Sequence, residues 1–205
     1  MNIEKRPIQK NENPHETEIS SEYVLIAEQA LRGYLALKPE EKILIIKDLK
    51  TDAGTAAILE KAIDIIGSTR GEIFLSERVT REDIQNLLEQ YETVISVAGD
   101  HHDADAEIYD DIKKTGNRLL GLFDLDKEAF RPDGPIAENP QTLVERLNKM
   151  EALLNGAAGF KISSRYGTNL EIPMRSFGER RWAKETGVID RPGEWGNLPV
   201  GEIYT

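Results

Sequence analysis

Apolar residues fall along this chain in two alternating rhythms. The short, largely β-branched runs KILIIKD (42–48), GEIFL (71–75), TVISVA (93–98) and RLLGLF (118–123) read as strands. Between them lie stretches with helical spacing. From Tyr23 to Leu37 the residues Val24, Ala27, Leu31, Tyr34 and Leu35 recur near one helical face, with Ser20 and Ser21 available as caps. Thr55 to Ile66, Arg81 to Tyr91 behind a Thr80 cap, AEIYDDIKKTG (106–116) closed by Gly116, and Gln141 to Asn155 continue the series. Short apolar strands alternating with helices predict an α/β fold with a mostly parallel sheet flanked by helices.

After residue 155 the rhythm changes. AGFKISS (158–164), TNLEIPMRS (168–176) and VGEIYT (200–205) read as strands separated by glycine and proline turns, with no helix between them. We therefore expect a flexible leader over 1–22, an α/β N-terminal domain over 23–155, and over 156–205 the first β-rich segment of a second, catalytic domain that is truncated. No internal repeat is present.

Composition narrows the function classes. The 205 residues include 26 basic and 37 acidic side chains, a formal charge of -11. Such a surface repels phosphate backbones, so nucleic acid is not an expected partner. The chain has no cysteine, which excludes disulfides, thiolate metal sites and cysteine nucleophiles together. No apolar run approaches the roughly 20 residues that span a bilayer, so no membrane partner is expected. The polar, proline-broken leader MNIEKRPIQKNENPHETEISSE has no signal-peptide core, and the cytoplasm is the expected location.

Several stretches carry candidate chemistry. GDHHDADAEIYDD (99–111) follows a predicted strand, where parallel sheets place their ligands. Asp100, His101, His102 and Asp103 there are of the right types for a divalent metal. The competing reading is that the same residues start the next helix by capping and by complementing its dipole. A strand followed by DHH also resembles the third motif of the DHH phosphoesterases, which use manganese. The pair Asp48 and Asp52 stands four apart, however, whereas that family pairs aspartates one residue apart. DLKTDAGTAA (48–57) is a strand-to-helix loop whose amides could hold an anion, yet it lacks the glycine patterns of nucleotide loops. FDLDKEAFRPDGP (123–135) fails the calcium-loop spacing, and no GxSxG elbow is present. Of the three histidines, His15 lies in the leader.

The last segment is more specific. SSRYGTNLEIPMRS (163–176), followed by GVIDRPGEWGNLPVGEIYT (187–205), resembles the thermophilic-aminopeptidase family of metallopeptidases, the aminopeptidase T-like or leucyl aminopeptidase enzymes. Three features carry the likeness: an R-x-G-T-[DN]-L strand, an arginine-containing stretch, and G-N-L-P-x-G-E-[IVF]-[YF]-T. The resemblance implies a cytoplasmic metal-dependent hydrolase that removes N-terminal residues from a peptide substrate. It also implies two divalent ions (zinc, cobalt or manganese) and a homodimer in the complete protein. Carried onto this chain, the motif glutamate is Glu202, the expected metal ligand; a carboxylate on a rigid Gly/Pro turn suits such an ion. The family's other ligands lie downstream of the motif, so this portion alone is expected to be inactive, and no catalytic residue is assigned. Asn169 stands where many relatives have aspartate. Two alternatives stay open: an iron-dependent dihydroxypyridine dioxygenase-like protein of the same superfamily, and a non-catalytic α/β binding or oligomerisation protein.

Overall fold

The computed structural model describes residues 19–75, 79–99, 110–112, 114–155, 157–173 and 183–204. Helix α1 (Ser21–Tyr34) begins where the Ser20 side chain accepts the Glu22 N–H, and it buries Val24, Ala27, Leu31 and Tyr34. Strand β1 (Lys42–Lys47) leads into helix α2 (Ala53–Ile66). Asp52 caps α2 by accepting the Thr55 N–H at 2.7 Å, and Gly67, at φ 85, ends it in the left-handed conformation. Strand β2 (Thr69–Phe74) precedes helix α3 (Arg81–Leu88), which opens on a capping box between Thr80 and Asp83.

Strand β3 (Thr93–Ser96) and strand β4 (Arg118–Gly121) complete the first half of the sheet. Helical residues at 110–112 and 114–115 precede Gly116. A 3-10 turn (Lys127–Phe130) and helix α4 (Pro140–Asn155) follow. Strands β5 (Gly159–Ser163) and β6 (Asn169–Pro173) then pair as an antiparallel hairpin. Strand β7 (Ala183–Glu185) comes next, then β8 (Trp195–Asn197) and β9 (Glu202–Tyr204).

The central sheet has five strands in the order β2-β1-β3-β4-β8, every neighbouring pair parallel. Strand periodicity divides its residues between two apolar layers. Ile43, Ile45, Ile95 and Leu120 face α1, α2 and α4, whereas Leu44, Ile46, Val94 and Leu119 face Ile84 and Leu88 of α3 and Ile112. Each such side chain contributes about 1.5–3 kcal/mol by leaving water. Four consecutive apolar residues in β1 are therefore all core, as a strand covered on both faces requires.

This is one α/β domain with a mostly parallel sheet flanked by helices, and the described residues do not form a distinct second catalytic domain. After the β5–β6 hairpin the chain returns to the body. Ile189 donates its N–H to Tyr34 O, and β8 adds to β4 as the fifth parallel strand. Sequence periodicity did not reveal β8, because Trp195–Asn197 offers no apolar run. Among the described residues, no helix is long and apolar enough to cross a membrane.

Candidate functional site

The strand order reverses between β1 and β3: β2 lies on one side of β1, and β3, β4 and β8 lie on the other. The loops leaving β1 and β3 therefore diverge at the carboxyl edge of the sheet, the place where open α/β sheets hold ligands. Asp48 joins these two loops. One of its carboxylate oxygens accepts the Gly99 N–H at 2.8 Å. The other accepts the Lys50 N–H at 2.9 Å and the Thr51 hydroxyl at 3.1 Å. The same hydroxyl stands 3.1 Å from Val97 O and accepts the Asp48 N–H at 2.8 Å. Asp48 is buried, so donors from two loops hold a carboxylate out of water.

Gly99 makes this approach possible. A Cβ there would stand 3.0 Å from both Lys50 Cβ and the Asp124 carboxylate, and Asp124 itself lies in the left-handed region at φ 52. Loops following β1, β3 and β4 thus converge on one glycine. With its oxygens engaged by these donors, Asp48 latches the two loops together. Within residues 48–57, the candidate anion loop, the Lys50 N–H is engaged by Asp48 and the Thr55 N–H by Asp52. Asp100, His101, His102 and Asp103, the metal candidates that follow Gly99, lie outside the described residues, as does His15.

Glu202 sits on a different sheet. Leu198, buried, donates its N–H to Gly121 O at 3.0 Å and anchors the end of β8 to β4. Gly201, at φ 132, then turns the chain, and a Cβ there would stand 3.0 Å from Leu143 Cδ1 of α4. Strand β9 pairs antiparallel with β7, which places Glu202 directly across from Glu185. Lys184, next to Glu185, is bound to Glu151 of α4 at 2.7 Å. Glu202 is exposed, and among the described residues no group of three or more His, Asp or Glu side chains could hold a metal ion. Strands β3 and β4 separate β1 from β8, so the structure does not bring Asp48 and Glu202 into one site. Asn169, at the start of β6 opposite Ser163, is exposed on the hairpin.

A third feature escaped sequence reasoning. At the amino edge of the sheet, Arg118 is paired with Glu41, their side chains only 13% and 9% exposed. The Arg118 guanidinium also donates to Leu35 O, to Ile189 O at 3.3 Å and to the Thr93 hydroxyl at 2.9 Å. Together these bonds tie α1, β1, β3 and the approach to β8. The pair borders an open cavity of about 650 Å³ lined also by Lys38, Tyr91, Glu92 and Asp190. Its polar groups are committed to one another, so it reads as a clasp. The one signal in the sequence is an arginine at the head of the otherwise apolar run RLLGLF.

Residues 26–205 match the family described as NicX: 2,5-dihydroxypyridine 5,6-dioxygenase. Among solved structures, the 2,5-dihydroxypyridine dioxygenase from Pseudomonas putida KT2440 superposes with TM-score 0.60 at 19% identity, over 88% of this chain and 54% of that one. The AmpT structure from Thermus thermophilus aligns with TM-score 0.48 at 13% identity, over 89% of this chain and 60% of that one. The chain thus spans about half the length of the dioxygenase structure. At 19% identity the likeness to the dioxygenase structure speaks to the fold alone. No curated protein matches the chain.

The family match overturns the reading of the chain as a portion of a metallo-aminopeptidase, and the proteolytic attribute falls with it. The physical reason lies in the motif itself. In GNLPVGEIYT, Asn197 and Leu198 continue the β4–β8 ladder and Gly201 fits against Leu143. These residues set the path of the backbone, which enzymes of different chemistry can share. The chain belongs to the family described as NicX: 2,5-dihydroxypyridine 5,6-dioxygenase.

Proposed function

We propose that the protein is a dihydroxypyridine dioxygenase-like enzyme that opens a hydroxylated pyridine ring with dioxygen and uses iron as its cofactor. The observation that carries this reading is the family match over residues 26–205. A bound iron would supply the dioxygen chemistry that amino-acid side chains lack. The described residues do not by themselves fit such an ion. Glu202 and Glu185 offer two carboxylates on neighbouring strands, with no third ligand beside them among the described residues. In this reading Glu202 is one candidate ligand. What the chain's own residues do is hold the backbone: the β4–β8 ladder and the Gly201 turn fix where Glu202 projects.

The same reading assigns the β5–β6 hairpin to the opening of a second, catalytic layer, and the complete protein to a cytoplasmic homodimer. The support for the layer is the β5–β6 hairpin, whose register puts Phe160 beside Ile172 and Ile162 beside Leu170 on one face. Ile162 and Leu170 are each about half exposed, as is Met150 near the end of α4.

The test is to load the natural polypeptide with ferrous iron without air, then add 2,5-dihydroxypyridine and air-saturated buffer. Dioxygen uptake matched to loss of the pyridine's ultraviolet band, abolished by a ferrous chelator, is the expected result. Absence of uptake in protein shown to contain stoichiometric iron overturns the proposal.

A further inference from the structure

We draw no further inference here: the strongest candidate, the apolar face that the β5–β6 hairpin presents through Ile162 and Leu170 beside the exposed Met150 and Leu153 near the end of α4, already belongs to the second-layer reading, and nothing in the structure shows what covers it.

Discussion

The central sheet and the β5–β6 hairpin use the same kinds of residue and reach opposite environments. In β1 the run Ile43 to Ile46 is at most 2% exposed, because helices cover both faces of the strand. In the hairpin, Ile162 and Leu170 stand cross-strand neighbours at 49% and 48% exposure. Alternation in the hairpin is as regular as in a half-buried strand, with Lys161 bound to Glu171 at 2.9 Å on the other face. A two-stranded hairpin is marginal alone in water. The contrast shows that an apolar pattern fixes which face a strand buries, while the layer that buries it is a separate matter of topology.

If the body owes its unity to long-range ties that the hairpin lacks, cutting one tie should unfold the body. Arg118 is the strongest test. Arg118→Ala leaves Glu41, almost wholly buried, without its counter-charge and frees the carbonyls of Leu35 and Ile189. A loss of about 3–5 kcal/mol is expected from urea unfolding. A loss under about 1 kcal/mol would mean that water reaches the pair and that it is no clasp.

How much of this was legible in the sequence follows from the distance between partners. Four consecutive apolar residues in KILIIKD announced a doubly covered parallel strand, and the Thr80 and Gly116 signals marked helix ends where the structure has them. The ties between elements were not legible. Arg118 and Glu41 are 77 residues apart and Asp48 and Gly99 are 51 apart, and only the closed sheet makes them neighbours. Strand β8 was hidden because its three residues become a strand through the ladder to β4. The segment 187–205 resembled an aminopeptidase motif, and the family match corrected that reading; its residues serve the turn and the ladder, which do not specify chemistry. Glu202 opens strand β9 behind the Gly201 turn, where the sequence placed it.

At the carboxyl edge of the same sheet, Asp48→Asn removes the charge that the Gly99 and Lys50 amides and the Thr51 hydroxyl share. It should cost about 1–3 kcal/mol in stability. The sharper readout is hydrogen exchange at Gly99, whose amide loses its charged acceptor. Acceleration there, with β1 amides keeping their protection relative to global unfolding, is expected for a latch. Uniform acceleration across the sheet would make Asp48 part of the general core.

A smaller effect ties α3 to the helical residues near 111. Arg81 meets the Asp111 carboxylate at 2.7 Å through two nitrogens, and Gln85 donates to it at 2.9 Å. Arg81 chiefly, then Gln85, holds the Asp111 carboxyl down to about 2, against an ordinary 3.8. Because the folded value lies below the unfolded one, this stabilisation is complete above the ordinary value. It is lost as pH falls through about 4 and on towards 2. Urea midpoints measured from pH 6 to 2 should therefore fall less steeply in Arg81→Gln than in the unaltered protein, since the variant has already lost the pair at pH 6. Equal slopes would show that Asp111 contributes nothing to the acid limb.

The smallest expected effect decides whether the comparison itself stands. Ile162→Ser replaces a half-exposed apolar residue on the hairpin, and Lys161 and Glu171 on the opposite face are left untouched. Where no layer covers that face, the change should alter stability by no more than about 0.5 kcal/mol, the range of ordinary surface substitutions. The same change in the body has a different scale: Ile45→Ser would bury an unpaired hydroxyl and open a cavity, at a cost of about 3 kcal/mol or more. Urea unfolding of both variants at two protein concentrations separates the outcomes. A concentration-independent loss near zero for Ile162→Ser keeps the hairpin as uncovered apolar surface. A loss approaching that of Ile45→Ser would show that Ile162 is buried in solution, and its growth with protein concentration would identify a second copy as the layer that buries it.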